Sequence, residues 1–453
     1  MARVLVVSAE PLGELMAGPA IRACELARVL SRENEVTLSA PGLAERPAGL
    51  DVNAVDAGFS DYEALDAAIG RAQLVVAQAL PARMLSRLPG SGARLVADLY
   101  NPTVFEVLEA GREKAPAARR RQQSAVARGT GAMLAAASRV MCAGEAQRDL
   151  WLGMMAALDR IPLSAYDRDP SLRSVIDVVP FGLPPEPPAA AAPDPVREMF
   201  PTIDVQDIVL LWGGGVWNWL DAPTAIDAVL EVNARRQGSP AVHLVFMGVG
   251  RPGDPDLDAM RATASMLDHL RSTGQEGNLV HVNRGWVPYH KRGRWLASSD
   301  AAISAHHDHL ETRFAFRTRL LDAVWAGLPI VTTQGDELSA TVQREAIGTV
   351  APPGDHQALA DAIERLVLDS SALESARART RVLASRLTWE RCAGPLLEWC
   401  RDPGGGLEPD RGLLRRLTLG RYPGIVAETA ATDGIGGALA QVMRNLRRLA
   451  RDR

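Results

Sequence analysis

Short apolar runs alternate with segments of helical periodicity through the first half of the chain. The runs "RVLVVSA", "EVTLSAP", "AQLVVAQAL" and "ARLVADLYNP" are bounded by turn residues, as is typical of buried strands. Between them, "IRACELARVLSR" places apolar residues at helical spacing, and "ASRVMCAGEAQRDLWL" predicts a strand, a turn and a helix. This α/β alternation predicts a parallel sheet covered by helices.

A Pro/Ala-rich segment interrupts the alternation near residue 180. "VVPFGLPPEPPAAAAPDP" cannot lie inside a sheet and predicts an extended, semi-rigid linker. A second series follows, with strands predicted at "DIVLLWGGG", "AVHLVFMGVG", "NLVHVNRGWVP", "DAAISAH", "LPIVTTQ" and "GTVAP", and helices at "PTAIDAVLEVNARR" and "HQALADAIERLVLD". Two Rossmann-like sheets of this kind face each other across a cleft, where their ligands bind at the strand ends.

We therefore expect an N-terminal domain over residues 1–183, a linker over 184–203, a C-terminal domain over 204–402 and a helical basic tail over 403–453. Residues 407–453 hold nine arginines against five acids and end in "ALAQVMRNLRRLARDR", which predicts an arginine-faced amphipathic helix. Two interpretations of that helix stay open. It packs on the body or on a partner, or it contacts an anionic membrane surface.

Composition narrows the class of protein. With 47% hydrophobic and 23% charged residues the chain reads as a soluble globular protein, and its net charge of −4 argues against nucleic-acid binding. No run is long enough to span a membrane and the N-terminus lacks a signal peptide, so we expect a cytoplasmic protein, with the inner membrane face as an alternative. The four cysteines lack metal-ligand spacing and predict reduced structural thiols.

Two counts constrain the chemistry. The only lysines are Lys114 and Lys291, and all eight histidines lie at or beyond His243, so lysine anchors and first-half histidine bases are almost unavailable. Three of the histidines stand in "SAHHDHLE", which invites a metal interpretation. Consecutive histidines in a strand-end loop rarely converge on one ion, so no metal site is predicted, and contact with a sugar hydroxyl is favoured.

The segment "HLETRFAFRTRLLDAVWAG" predicts a helix that begins around residues 316–318 and ends at Gly327. Arg317, Thr318 and Arg319 then occupy its first turn, where cations oppose the helix dipole unless an anion joins them. Free backbone amides, the Thr318 hydroxyl and an arginine guanidinium would all donate hydrogen bonds to a phosphate bound there. Asp322, one turn further on, could accept the two vicinal hydroxyls of a ribose. The alternative is that Arg317 and Arg319 merely pair with Glu311 and Asp322.

Two glycine-containing loops follow predicted strands. In "LLWGGGVWNWLD", Gly213, Gly214 and Gly215 let the backbone approach a ligand and present amides to phosphate. Trp217, Asn218 and Trp219 then form a flat wall that could stack on a sugar or a base, with core packing of the tryptophans as the alternative. In "EPLGELMAGPAIR", Gly13 and Gly18 precede a helix without G-x-G-x-x-G spacing, which disfavours a nicotinamide enzyme.

On these residues the chain resembles the family 4 glycosyltransferases, retaining enzymes of the GT-B fold that use nucleotide-sugar donors. The resemblance covers about residues 1–400 and is carried by "MAGPAIRACELARVLSRENEVTL", "VMCAGEAQRDLW", "VVPFGLP" and "DAVWAGLPIVTTQGD", the last similar to the family's E-A-x-A-x-G-x-P-V-V segment.

The resemblance also implies roles for individual residues. The family's ribose-binding acid falls on Asp322, whereas Phe314 takes the place of its first glutamate, and Glu311 is the nearest substitute for contact with the donor sugar. The family's phosphate-gripping arginine and lysine are missing, so Arg317 and Arg319 are expected to neutralise the diphosphate. The remaining implied contacts are donor binding by Gly18 in the loop before the first helix, a weaker contact from Arg251, and Asp98 with Asn101 in place of a cleft histidine.

The function implied is retaining, hexosyl-type transfer from a nucleotide-diphosphate sugar, without a metal or a further cofactor. The acceptor is a saccharide, a lipid-linked sugar or a secondary metabolite. Two alternatives stay open: a catalytically inactive GT-B scaffold or partner protein, and a GT-B-fold sugar-nucleotide isomerase or hydrolase. The missing first-half histidines count against the second of these, because such chemistry needs acid and base groups there.

Overall fold

The computed structural model describes residues 1–14, 16–43, 50, 52–189, 192–236, 240–250 and 261–419. Within these residues the chain forms two parallel sheets, one of seven strands and one of six, each covered by helices. The predicted α/β class with two Rossmann-like sheets is therefore confirmed. Arg251 and residues 420–453, including the predicted amphipathic helix of the tail, lie outside the described residues.

The N-terminal sheet has the strand order β3-β2-β1-β4-β5-β6-β7. Its central strands are buried on both faces, so their apolar runs are continuous rather than alternating. The strands are β1 Arg3–Val7, β2 Glu35–Ala40, β3 Asn53–Asp56, β4 Leu74–Ala77, β5 Arg94–Asp98, β6 Ala137–Cys142 and β7 Ile176–Val178. The helices are α1 Gly18–Leu30, α2 Tyr62–Arg71, α3 Ala82–Ser91, α4 Thr103–Ala110, α5 Pro116–Ala136, α6 Glu145–Ala157 and α7 Leu163–Arg168.

The C-terminal sheet has the order β10-β9-β8-β11-β12-β13. Its strands are β8 Ile208–Trp212, β9 Val242–Phe246, β10 Val280–Val282, β11 Ala301–Ser304, β12 Ile330–Thr333 and β13 Gly348–Ala351. The helices from the linker onward are α8 Pro195–Met199, α9 Ala222–Arg236, α10 Arg261–Thr273, α11 Arg292–Ala297, α12 Leu310–Phe314, α13 Thr318–Trp325, α14 Glu337–Arg344, α15 His356–Val367, α16 Ser370–Arg386, α17 Trp389–Cys392, α18 Gly394–Arg401 and α19 Arg411–Leu419, with a 3-10 turn at Tyr289–Lys291.

Both sheets reverse their winding direction at an internal pair of strands. The chain order switches between β1 and β4 in the first sheet and between β8 and β11 in the second. Ligands of open parallel sheets bind outside the carboxyl ends of the strands at such switch points. The loops after β1 and β8 are therefore the segments that the fold positions for binding.

The end of the described chain returns to the N-terminal half. The amide of Leu183 donates to the carbonyl of Leu387 at 2.7 Å, and the ring of Trp389 lies 5.6 Å from that of Phe181. Beyond these contacts, α17 packs on α1, and α19 packs on α3 and α5. The domain boundaries expected from the sequence stay a prediction. The structure adds that the chain after α16 packs against the N-terminal half.

The two halves also touch at the far end of the cleft. The rings of Phe105 on α4 and Phe314 on α12 stack with centroids 5.1 Å apart. The Gln147 amide donates to the carbonyls of Tyr100, at 2.6 Å, and of Phe314, at 2.9 Å. These contacts fix the position of α12, and of the loop that follows it, against the N-terminal sheet.

The four cysteines are buried and unpaired with one another. Burial raises the pKa of each thiol to about 12, so none carries thiolate character at neutral pH. This agrees with the predicted structural role.

Candidate active site

The cleft between the sheets contains two adjoining cavities. The narrow cavity has a volume of about 190 Å³ and the wide cavity one of about 1000 Å³. Residues from both halves of the chain line both cavities and join them into one continuous space: Ala17, Gly18, Trp217, Trp286, Thr318 and Arg319. Gly18, the first residue of α1, is thus placed at the cleft as predicted.

The triple glycine after β8 borders the narrow cavity. Gly214 has a φ of +86°, a conformation that favours glycine. A Cβ added at Gly213 would meet no atom within 4 Å. The backbone of this loop therefore faces open space, as is needed where a ligand approaches main-chain amides.

Helix α13 points its N-terminus at the same space. It begins at Thr318, as the sequence predicted, and Gly327, with a φ of +68°, follows its end. The N-cap residue Arg317 makes no side-chain capping hydrogen bond, and the first turn contains no acid. The amides of Thr318 and Leu320 already donate to the carbonyls of Phe316 and Arg317, at 2.9 Å each, which leaves the Arg319 amide and the helix dipole to attract an anion at this first turn.

Arg319 lies between this first turn and the glycine loop. Its Nη2 donates to the Gly215 carbonyl at 2.9 Å, and its guanidinium carbon lies 5.5 Å from the centroid of the Trp212 ring. Its Nη1 is buried and has no hydrogen-bond partner among the described residues. Burial lowers the pKa of Arg319 to about 9, and the neighbouring charge of Arg317 adds to that effect. Asp322 opposes the shift, but no carboxylate of the described residues forms an ion pair with this partly buried guanidinium, as burial of a charge favours.

Arg317 is already paired. Its Nη1 and Nη2 donate to the two carboxylate oxygens of Glu311 at 3.0 and 2.7 Å, and Nη2 also reaches the Thr312 hydroxyl at 3.3 Å. Arg317 and Glu311 are only 6% and 2% exposed, although both border the wide cavity. Arg317 therefore forms the bidentate ion pair with Glu311 that was the alternative expectation. Its geometry does not support the expected binding of a diphosphate.

Asp322 is engaged by a residue that the sequence analysis missed. The Nε of Arg292 donates to Asp322 at 3.1 Å, while its guanidinium stacks over the rings of Tyr289 and Trp325 at 3.7 and 4.7 Å. Asp322 and Arg292 line the narrow cavity. The alternative pairing of Asp322 with Arg319 is therefore wrong. Arg292 lies thirty positions upstream of Asp322, and no local pattern links the two.

The tryptophan wall is present, but Asn218 is not part of it. Trp217 and Trp219 stack with centroids 6.0 Å apart and an interplanar angle of 16°. Trp217 borders both cavities and Trp219 borders the wide one. Asn218 instead accepts a hydrogen bond from the amide of Ala262 at 3.2 Å, beside the start of α10. Its side chain holds that helix rather than the ligand space.

The expectation that Asp98 faces the cleft does not hold. Asp98 ends β5 and is 3% exposed, because Arg22 of α1, itself fully buried, covers it. The Arg22 guanidinium donates to both carboxylate oxygens at 2.7 and 2.8 Å and also to the carbonyl of Val179 at 2.8 Å. This bidentate ion pair fastens α1 to the sheet. Asn101, by contrast, borders the wide cavity.

The histidine cluster is dispersed among structural contacts. His306 is fully buried and burial holds its pKa well below the usual range, whereas His307 is half exposed and lies 3.7 Å from Asp221. His309 caps α12 by accepting from the amide of Thr312 at 3.3 Å. In the described part of the chain, no group of three or more His, Cys, Asp or Glu side chains is arranged to hold a metal ion.

A second residue missed from the sequence is Glu106. It lies on α4 and borders the wide cavity opposite Glu311. Burial, followed by the charge of Glu311, raises the pKa of Glu106 to about 7, and Arg317 opposes that rise. The segment "TVFEVLEA" has two acids, Glu106 and Glu109, among mostly apolar residues, and nothing in its pattern singles out Glu106.

Sequence comparisons agree with this architecture. A family model described as "Glycosyl transferases group 1" matches residues 207–369. A D-inositol 3-phosphate glycosyltransferase from Saccharomonospora viridis is 24% identical over 238 residues, which make up 47% of this chain and 51% of that protein. The chain thus spans about half the length of this curated relative.

Solved structures extend the similarity over most of the chain. Sucrose-phosphate synthase from Thermosynechococcus elongatus superimposes with a TM-score of 0.60 and 15% identity, covering 89% of this chain and 99% of that one. Anabaena HepE in complex with UDP-glucose superimposes with a TM-score of 0.59 and 14% identity, covering 89% and 100%. At these identities the superpositions establish the fold. That fold is GT-B, and the match over residues 207–369 shows a distant similarity to the group 1 glycosyltransferases.

Proposed function

We propose that the protein is a retaining glycosyltransferase that moves a sugar from a nucleotide-diphosphate sugar to an acceptor hydroxyl. The observation that carries the proposal is Arg319, a partly buried cation whose buried Nη1 has no partner among the described residues, at the first turn of α13 and against the glycine loop. A diphosphate supplies the missing negative charge, and the helix dipole and loop amides favour the same anion.

The rest of the donor follows from the lining of the narrow cavity. Asp322, oriented by Arg292, offers a carboxylate to vicinal ribose hydroxyls one turn beyond the phosphate site. Trp286 and Gly248 border the same cavity and supply a flat apolar surface for the base. The sugar then projects toward the wide cavity, where Arg317 holds Glu311 in place for contact with its hydroxyls.

In this arrangement the acceptor hydroxyl enters from the wide cavity, on the same face as the departing diphosphate. The bond between the anomeric carbon and the phosphate oxygen breaks, the bond to the acceptor oxygen forms, and the acceptor's proton passes to the departing phosphate. Arg319 and the dipole of α13 stabilise the negative charge that develops on the diphosphate. Positioning and charge stabilisation, rather than a protein nucleophile, supply the rate enhancement.

UDP-hexoses are the first donors to test, because Anabaena HepE was solved with UDP-glucose. The acceptor in our proposal is a saccharide, a lipid-linked sugar or a secondary metabolite. A cytosolic location and membrane contact through the C-terminal tail belong to the same proposal. Among the described residues, none of the helices has both the length and the hydropathy needed to cross a bilayer.

Thermal-shift measurements of the full chain with UDP, GDP and dTDP test the proposal. A nucleotide present at a hundredfold excess over its dissociation constant stabilises the folded protein by about 2.7 kcal/mol, and one of the three is expected to do so. Incubation of the preferred nucleotide sugar with a panel of acceptors is then expected to give a product with retained anomeric configuration by NMR.

The other outcomes separate the alternatives. Nucleotide binding without transfer to any acceptor would support the inactive scaffold. An altered or hydrolysed donor sugar in the absence of acceptor would support the isomerase or hydrolase. If none of the three nucleotides stabilises the protein, the proposed donor site is wrong.

A further inference from the structure

A shelf of nearly parallel indole rings extends into the wide cavity beyond the proposed donor site. The ring centroids of Trp217 and Trp219 lie 6.0 Å apart, with an interplanar angle of 16°. Trp217 borders both cavities, whereas Trp219 borders the wide cavity and not the narrow one. The nucleotide that we place in the narrow cavity therefore leaves the Trp219 end of the shelf uncovered.

Two polar side chains of the N-terminal half border the same wide cavity without a protein partner. Tyr100 is only 4% exposed, and its hydroxyl forms no hydrogen bond to any described residue. That hydroxyl keeps contact with solvent and lies 3.9 Å from the position of a Cβ added to Gly18, which borders both cavities. The side-chain amide of Asn101 is likewise unpartnered within the described ranges. Since buried polar groups are nearly always hydrogen-bonded, this combination indicates a ligand with polar groups of its own.

The position of the Tyr100 hydroxyl is fixed by packing around its ring and backbone. The guanidinium carbon of Arg22 lies 5.0 Å from the ring centroid, and the Phe181 ring packs edge-on at 5.0 Å. Gln147 donates to the Tyr100 carbonyl at 2.6 Å. Arg22 is held in turn by its bidentate ion pair with Asp98. An unpartnered hydroxyl on a side chain held in this way is preorganised for a ligand.

We propose that the wide cavity binds a pyranose ring of a saccharide acceptor, with one C–H face on Trp219 and ring hydroxyls hydrogen-bonded to Tyr100 and Asn101. This inference rests on the proposed function, because it chooses among the acceptor classes of the same site. A pyranose carries C–H groups on its faces and hydroxyls at its edge. It therefore matches an aromatic shelf on one half of the chain and polar groups on the other.

Two features of the wide cavity favour a saccharide. An aromatic aglycone would also stack on Trp219, but its faces carry no partner for the Tyr100 hydroxyl, which would stay unpaired at a cost in affinity. The volume of about 1000 Å³ lies at the upper end of the range of about 300–1000 Å³ for small-molecule sites. The cavity thus has room for the acceptor ring beside the donor sugar.

The experiment is saturation-transfer difference NMR of the full chain, with and without saturating UDP. The probes are methyl β-D-glucopyranoside, methyl β-D-galactopyranoside and methyl α-D-mannopyranoside, with D-glucitol as an acyclic polyol and resorcinol as an aromatic diol. At least one pyranoside is expected to bind with saturation concentrated on the ring C–H protons of one face. Its affinity should exceed that for D-glucitol and for resorcinol by about tenfold, because only the pyranoside combines a preformed ring face with several hydroxyls.

Two variants separate the stacking contact from the hydrogen bond. Trp219→Leu keeps an apolar side chain without an aromatic face, so it should weaken pyranoside binding about tenfold and abolish the face-selective saturation. Tyr100→Phe keeps the ring beside Arg22 and removes a hydroxyl that has no described protein partner. It should weaken pyranoside binding about three- to tenfold, with the same face saturated and with thermal stability unchanged or higher.

UDP affinity and an exposed tyrosine supply the controls. UDP should bind both variants with wild-type affinity, since neither Trp219 nor Tyr100 borders the narrow cavity. Tyr166→Phe, on α7 at a residue that is 50% exposed, is the matched control for Tyr100→Phe and should bind pyranosides as wild type does.

Unchanged face-selective saturation in Trp219→Leu, or unchanged pyranoside affinity in Tyr100→Phe, would overturn the inference. So would tighter binding of resorcinol than of every pyranoside, or the absence of pyranoside binding by a wild-type protein that binds UDP. Failure of the proposed function shows separately, when none of UDP, GDP and dTDP stabilises the protein. Because the spectra are also recorded without UDP, the pyranoside contact is measured in that case as well.

Discussion

Arg319 donates a hydrogen bond to the carbonyl of Gly215 at 2.9 Å, across a sequence separation of 104 residues. This bond ties the first turn of α13 to the glycine loop after β8. It uses one nitrogen of the guanidinium, and Nη1 remains without a partner among the described residues. The glycine loop, the N-terminus of α13 and a guanidinium with an unpartnered nitrogen therefore lie together at the cleft.

Gly213→Ala is expected to lower nucleotide affinity without lowering stability. The added methyl group meets no protein atom within 4 Å, so the folded structure needs no adjustment. It does occupy the space through which a phosphate would approach the loop, and UDP binding measured by calorimetry should weaken by about tenfold or more, the equivalent of about one lost hydrogen bond.

Gly129→Ala, in α5, is the matched control. Its added methyl group likewise meets nothing within 4 Å, so it should leave UDP affinity unchanged and raise stability by up to about 1 kcal/mol. Wild-type UDP affinity in Gly213→Ala would show that no ligand phosphate approaches this loop.

Local features of the sequence predicted the two sheets and, at the site, the glycine loop and the start of α13. Continuous apolar runs predicted most of the strands, because parallel strands are buried on both faces. Strand β3, "NAVD", was missed since it is four residues long and has an exposed or half-buried pattern at the sheet edge. The start of α13 was predicted correctly, because its apolar spacing begins directly after the arginines.

Long-range pairing was beyond what the sequence could predict. Arg292 reaches Asp322 from a separate helix, and Arg22 reaches Asp98 across 76 positions. No periodicity encodes which of 48 arginines meets which acid. The difference between expectation and structure is largest at Asp98. A place in the cleft was expected for it, whereas the fold buries it under α1.

Asp98→Ala is expected to destabilise the protein rather than to alter catalysis selectively. It leaves the fully buried Arg22 guanidinium without its carboxylate, a change that typically costs about 3–5 kcal/mol. Urea unfolding should show this loss of free energy. Glu408→Gln is the control, because its ion pair with Arg94 is largely exposed and contributes at most about 1 kcal/mol. Wild-type stability combined with lost activity in Asp98→Ala would instead point to a direct role in the reaction.

The contribution of His281 to the free energy of unfolding is expected to fall as the pH is lowered from 7 toward 4. Burial, with the neighbouring His243, lowers the pKa of His281 from 6.5 to about 4. Between these values the unfolded chain binds a proton that the folded protein excludes, so stability is complete above pH 6.5 and declines below it. The decline contributed by one such group is at most about 1.4 kcal/mol per pH unit.

Urea titrations at pH 7 and pH 5 measure this dependence. His281→Asn should show a smaller loss of stability between the two pH values than wild type, and His290→Asn, at an exposed position, is the matched control. An identical loss in wild type and His281→Asn would mean that this buried imidazole does not govern the acid sensitivity.

The central claim is that Arg319 supplies the charge that binds the diphosphate, and calorimetric titration of UDP into Arg319→Met tests it most directly. Methionine keeps an apolar stem in place of the one beside Trp212 and removes the charge, so thermal stability should be unchanged or higher. Arg313→Ala removes an exposed arginine of the neighbouring helix α12 and is the control. The account predicts about tenfold to hundredfold weaker UDP binding by Arg319→Met and wild-type binding by Arg313→Ala; equal UDP affinity in wild type and Arg319→Met would contradict it.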